Sequence, residues 1–195
     1  MDTLDYTIKL DVLSEGYDGK TEWFQPRVGI IPPSTAVITV TRAILSGSDV
    51  FTAVRSMHSD DLGQTWSAPV AHDATLGRRR EPGGAEVVIC DATPAWHAAT
   101  GKLLATGHTA TYLGLHLAPD PRRRAIPYTV YDPEQRAWSP WRILEMPDTV
   151  GKFFSVGAGC TQRVDLANGD ILLPIDFLPC EEAADSWNNC YRSAV

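Results

Sequence analysis

One octapeptide limits what this chain can fold into. Ser59-Asp60-Asp61-Leu62-Gly63-Gln64-Thr65-Trp66 has the pattern Ser-x-Asp-x-Gly-x-Thr-Trp, between a strand-like run, Val50 to Met57, and Ser67-Ala68-Pro69-Val70. This is the composition of a β-hairpin turn. Asp61 can accept backbone N–H groups across it, Gly63 supplies a positive φ, and Thr65 and Trp66 open the following strand. Trp66 then has a large ring face to bury against a neighbouring sheet.

The rest of the chain has the same character. Tyr6-Thr7-Ile8-Lys9-Leu10-Asp11-Val12 alternates apolar and polar, the period of a strand with one buried face. A first group of strands is expected at Arg27 to Ile31, Ala36 to Thr41, Val50 to Met57 and Trp66 to Val70. A second is expected at Glu86 to Ala92, Lys102 to Thr109, Ile126 to Tyr131 and Trp138 to Leu144, and a third at Cys160 to Leu166, Asp170 to Phe177 and in Asn188 to Val195. No segment has a helical period, so the fold class is all-β. The groups repeat: Tyr131 to Ser139 carries a degenerate copy of the octapeptide at an offset of 72 residues (66 to 138), and Thr100-Gly101-Lys102 recurs as Asn168-Gly169-Asp170 at 68 (101 to 169).

The octapeptide resembles the Asp-box of the sialidase (neuraminidase) superfamily, where it recurs on hairpin turns of a six-bladed β-propeller, away from the catalytic centre. The resemblance implies a β-propeller of sialidase type and makes Ser59, Asp61, Gly63, Thr65 and Trp66 structural. Residues 1–195 then form a single partial propeller domain: blade 1 at about 23–70, blade 2 at about 86–144 and an incomplete blade 3 at about 157–195, with 1–13 as a ring-closing strand. Three blades do not close a ring, so the chain is expected to be the N-terminal portion of a longer protein.

Composition narrows the partners. A formal net charge of −7 argues against a general nucleic-acid binder. The runs Arg78-Arg79-Arg80 and Arg122-Arg123-Arg124 beside turn residues read as solvated loop charge. Cys90, Cys160, Cys180 and Cys190 show no zinc-site spacing and read as free thiols, and the five histidines show no ligand spacing; neither a metal nor a cofactor is expected. No signal peptide and no membrane-spanning run is visible, which fits a cytoplasmic protein without membrane partners. The sequence fixes no oligomeric state.

The resemblance also nominates site residues. Gln25-Pro26-Arg27-Val28-Gly29-Ile30-Ile31-Pro32 stands where the family has Phe-Arg-Ile-Pro, whose arginine grips the substrate carboxylate; Arg27 is the matching residue. Its alternative is a strand-end arginine in a surface ion pair. Asp49, in Gly47-Ser48-Asp49, matches the family's acid/base aspartate, with Arg42 near it, although the same four residues from Ser46 also make an ordinary turn. Gly157-Ala158-Gly159 through Gln162-Arg163 to Pro174 is similar to the family's Gly-Pro-Gly and Gln-Leu segments, which points Gln162 or Arg163 at a substrate or at a blade interface. Trp96-His97 and Gly107-His108-Thr109 match no family motif, and His108 with Tyr112 could supply base and acid for another carbohydrate reaction. The family's tyrosine nucleophile, its glutamate and two further arginines have no counterpart here, so no sialic acid release is expected from this chain alone. Three readings stay open: an exo-α-sialidase-like glycoside hydrolase of an acidic sugar, a polysaccharide lyase or hydrolase using His108 and Tyr112, and a non-catalytic carbohydrate-binding propeller.

Overall fold

The structure, a computed structural model, describes residues 5–46, 49–119, 122–148, 150–179 and 191–195. Strands β1 (Thr21–Ile31), β2 (Thr35–Leu45), β3 (Asp49–Ser59) and β4 (Val70–Ala71) pair in that order as one antiparallel sheet. A single helical turn, α1 (Asp73–Leu76), leads out of it. The second sheet holds β5 (Arg79–Arg80), β6 (Glu86–His97), β7 (Lys102–Leu113), β8 (His116–Leu117), β9 (Pro127–Asp132), β10 (Ala137–Trp138) and β11 (Arg142–Ile143), with β6, β7 and β9 adjacent at its centre. The third holds β12 (Ser155–Gly157), β15 (Ile175–Leu178) and β16 (Arg192–Ala194), and β13 (Val164–Asp165) pairs with β14 (Ile171–Leu172) as a separate hairpin.

The all-β expectation holds, with one unexpected helical turn. Strands β1, β2, β3, β6 and β7 run longer than the residue pattern suggested, whereas Trp66 to Val70 and Cys160 to Leu166 shrink to β4 and β13. Trp138 to Leu144 and Asp170 to Phe177 each divide in two at a proline, Pro140 and Pro174, which has no N–H to give a ladder. β2 reads Thr-Ala-Val-Ile-Thr-Val-Thr-Arg-Ala-Ile-Leu, whose β-branched side chains suit a pleated surface buried for most of its length. β1 begins six residues before Arg27 because a bulge between Phe24 and Arg27 accommodates Pro26, which has no N–H to give a ladder. Leu76 of α1 is fully buried in the core shared by the first two sheets, beside Val37, Val54, Ile89, Leu103 and Trp138. A further cluster, Ile126, Val156, Ala158, Ile175 and Phe177, lies under the third sheet. Tyr6 to Val12 is exposed and joins no strand; alternation supplies one apolar face, but a strand also needs a partner ladder, and none is present among the described residues.

The octapeptide closes the turn after β3 through its own side chains. Ser59 Oγ accepts the Gly63 N–H at 2.7 Å and donates to Asp61 Oδ1 at 2.7 Å. Asp61 accepts the Thr65 N–H at 2.9 Å and the Thr65 hydroxyl at 2.7 Å, and these bonds lower its pKa to about 2. Trp66 departs from expectation. Its indole folds back to donate to the Gly63 carbonyl at 3.0 Å and stays half-buried over the turn, while the chain regains strand geometry only at Val70. The degenerate copy keeps the aspartate: Asp132 accepts the N–H groups of Glu134 at 2.9 Å and Gln135 at 3.3 Å, and Trp138 is buried in the core.

The two basic runs are not simply solvated. Arg78 donates to the Phe51 carbonyl and to Glu86 while lying 4.5 Å over the Tyr112 ring. Arg79 stacks 3.5 Å from the Trp141 ring centre and donates to the Trp141 carbonyl. Arg123 bonds the Phe154 carbonyl at 2.8 Å. A guanidinium is weakly hydrated and planar, so it staples strands across aromatic faces where a lysine would stay in water.

Two half-buried histidines lie where the first two sheets meet. His58 Nδ1 is 3.1 Å from the Tyr131 hydroxyl, and His72 Nε2 is 2.7 Å from Ser56 Oγ. Burial lowers the pKa of both, helped by Arg136 beside His58 and by His58 beside His72. A group whose folded pKa lies below its unfolded value near 6.5 costs stability as pH falls through that value, because the unfolded chain then binds the extra protons. Urea unfolding is therefore expected to show full stability at pH 8 and a loss between pH 6.5 and 5. His58→Gln and His72→Gln together should make that loss shallower, and an unchanged profile in the double variant would contradict this reading.

Candidate functional site

Two bulges face each other across the first and second sheets. β1 shifts register between Phe24 and Arg27, and β6 between Cys90 and Thr93. Each places a non-glycine residue in the left-handed region, Gln25 at φ 54° and Asp91 at φ 50°. Such backbone costs about 1–3 kcal/mol and persists only where the surroundings over-determine it. Here the two strained residues hold each other: Gln25 Oε1 accepts the Asp91 N–H at 3.0 Å, and Gln25 Nε2 donates to Asp91 Oδ2 at 3.2 Å.

The bulges turn one carboxylate into the hub of a polar cluster. Asp91, with its side chain 8% exposed, accepts from Arg27 Nη2 at 2.7 Å. The same Nη2 lies 3.0 Å from Cys160 Sγ, and Arg27 retains 28% of its side-chain surface. On β7, the strand paired with β6, His108 Nδ1 stands 3.8 Å from Asp91 Oδ2. Beyond it, Arg124 pairs with Asp176 of β15, and its guanidinium lies 5.0 Å from the Tyr191 ring centre. Arg124 Nε is buried and has no hydrogen-bond partner among the described residues.

Small residues make this convergence possible. A Cβ at Gly159 would stand 2.2 Å from His108 Nδ1, and one at Gly157 would stand 2.9 Å from Asp176 Oδ1 and 3.3 Å from Arg124 Nη1. The Gly157-Ala158-Gly159 stretch is thus the wall against which the imidazole lies. Gly107 serves the bulge from the other side, since a Cβ there would stand 2.2 Å from the Cys90 carbonyl. Burial lowers the pKa of His108 most; Asp91 pulls it up, Arg124 pushes it down and Asp176 pulls it up again.

The other nominated residues lie elsewhere. Arg42 donates to Thr21 Oγ1 and Asp18 Oδ2, each at 2.6 Å, and its guanidinium covers Trp23. Arg163 is a strut: it donates to the carbonyls of Leu104 at 2.8 Å and Ala95 at 3.0 Å, with Asp165 at 2.9 Å. Ala95 is four residues beyond Asp91 on β6. Gln162 is exposed. Asp49 opens β3 opposite Leu45, whereas Arg27 shares its row with Thr39; at strand spacing the two backbone rows are about 20 Å apart, and the Asp49 side chain lies outside the described residues. His97 bonds Thr100 and the Gly169 carbonyl, tying two turns together. Tyr112 is fully buried and accepts the Phe51 N–H, so it does not share a cleft with His108.

Sequence reasoning nominated Arg27 and His108, which the structure brings together beside Asp91, and did not nominate Asp91, Gln25, Cys160, Arg124 or Asp176 as their partners. A charge inside the apolar run Val87-Val88-Ile89-Cys90-Asp91-Ala92 was the legible signal for the hub. Among the described residues no His, Cys, Asp and Glu side chains form a group able to hold a metal ion, and no helix is long and apolar enough to cross a membrane. Cys160 is a free thiol and Cys90 is buried; Cys180 and Cys190 lie outside the described residues. A separate open cavity of about 410 Å³ is lined by Ile44, Thr52, Ala53, Asp73, Gly77 and Arg78, sharing no residue with the cluster.

No family's sequence profile and no curated protein matches the chain. Among solved structures it superposes on a Hadza microbial sialidase, Hz136, with a TM-score of 0.60 and 15% identity over 88% of this chain. The chain spans 38% of that protein's length. At this identity the likeness establishes the fold: the stacked antiparallel sheets are part of a sialidase-like β-propeller.

The glycine wall gives a direct test. Gly159→Ala is expected to push the His108 ring from its seat and destabilise the chain by about 1–3 kcal/mol in urea, the usual cost of overpacking. Wild-type stability with an unmoved His108 ring resonance in NMR would contradict the packing described.

Proposed function

We propose that this chain carries the carboxylate-binding part of a site for an acidic sugar, in a glycoside hydrolase of exo-α-sialidase type. The observation that carries this reading is Arg27: a guanidinium clamped by a buried aspartate yet still partly open, on the first strand of a sialidase-like propeller. A clamped guanidinium has already lost its rotamer freedom, so a ligand carboxylate can take its remaining N–H groups at little further entropic cost. A carboxylate adds one negative charge, which selects acidic sugars over neutral ones.

His108 stands with Arg27 beside Asp91. Asp49 does not carry the reading, because its row of the sheet lies far from that of Arg27. Likewise, the lyase alternative loses its acid once Tyr112 is seen to be buried in the core. Cleavage of the glycosidic bond would need further groups in addition to those assigned to this chain.

Calorimetric titration tests the reading. N-acetylneuraminic acid should bind, its methyl ester should bind at least tenfold more weakly, and Arg27→Met should remove the distinction, as expected for a charge-assisted bond of about 1.5–3 kcal/mol. Equal affinity for acid and ester would contradict a carboxylate site at Arg27.

A further inference from the structure

Four charges surround His108 in two closed pairs. Arg27 of β1 is matched by Asp91 of β6, and Arg124, just ahead of β9, by Asp176 of β15. The thiol of Cys160 and the backbone of Gly157 and Gly159 complete the surroundings, with Tyr191 behind Arg124. With a neutral imidazole the cluster carries no net charge. An arriving carboxylate would leave one uncompensated negative charge in a half-buried site, and such a charge is expensive unless matched.

Resting on the acidic-sugar reading above, we propose that His108 is a positioning residue of this site, taking up a proton as the sugar carboxylate binds to Arg27. The geometry assigns it that part. Its Nδ1 lies 3.8 Å from Asp91 Oδ2, the carboxylate that also holds Arg27, and its Cβ lies against the point where Gly157 meets Asp176 and Arg124. A proton on His108 sits between two carboxylates and restores neutrality when the ligand arrives. It also draws Asp91 toward the imidazolium, which leaves more of the Arg27 fork for the ligand. No bond is made or broken: one proton passes from solvent to the imidazole.

Linkage fixes the sign. The binding-competent form carries the extra proton, so affinity rises as pH falls and is lost as pH rises through the pKa of the liganded His108. A sugar carboxyl with a pKa near 3.5 stays ionised throughout the range above pH 5, so the ligand's own titration does not contribute.

The experiment titrates N-acetylneuraminic acid into the full chain by calorimetry, at pH 6, 7 and 8, in buffers of differing ionisation heat. Expected are an uptake approaching one proton per ligand and an affinity falling by up to about tenfold per pH unit. His108→Asn should bind with no uptake and a flat pH profile. Should that variant fail to fold by circular dichroism, the His108 ring resonance of the wild type is followed by NMR, and it must move to the protonated position on ligand addition. Binding without proton uptake overturns this inference and leaves the Arg27 site intact, as does uptake that survives in a folded His108→Asn, which would assign it to another titratable group. Absence of any binding by the folded wild type overturns the acidic-sugar reading, and this inference with it.

Discussion

A buried carboxylate must find partners or lose its charge, and Asp91 finds them on three sides. It holds the guanidinium of Arg27 and the amide of Gln25 from the first sheet and stands beside His108 of the second. Its own backbone is strained, as is that of Gln25, and the strain is supported by the bonds the two residues exchange. Remove the carboxylate, and the reasons for both bulges, for the position of Arg27 and for the seat of His108 weaken together. The third sheet completes the arrangement by bringing up a backbone without side chains, Gly157 and Gly159, where any Cβ would collide.

Sheet stacking supplies the rigidity this hub needs. The core that joins the first two sheets is rich in β-branched and aromatic side chains and includes Leu76 from a helical turn and Trp138 from the repeat of the octapeptide turn. That repeat places Arg136 beside Asp60, with contacts of 2.8 and 2.9 Å, so corresponding turns of neighbouring sheets are linked at the rim. The pair is exposed and worth well under about 1 kcal/mol, a marker of the repeat more than a source of stability. Stability comes from apolar burial, and the polar bonds set register.

Much of the fold was legible in the sequence because its signals are local. Ser59, Asp61, Gly63 and Thr65 form their turn through contacts within seven residues, and β2 announces itself through its β-branched run. Trp66 was misread for the same reason: a local pattern shows that an indole is present but not whether a sheet or its own turn receives it. The site was half legible. Arg27 and His108 stood out by type and neighbourhood, but Arg124 looked like part of a solvated basic run, and only the long-range approach of β15 shows its partner, Asp176. Likewise the register that separates Asp49 from Arg27 is set by long antiparallel pairing, which no short motif encodes.

The most direct measurement is a double-mutant cycle on stability between Arg27→Met and Asp91→Ala. If Asp91 organises the site by holding Arg27, the two changes should be non-additive by more than about 0.5 and up to about 3 kcal/mol, the range for residues in one hydrogen-bond or salt-bridge network. Additivity within about 0.5 kcal/mol would mean that the two side chains do not depend on each other, and would contradict the account of the site as built around Asp91.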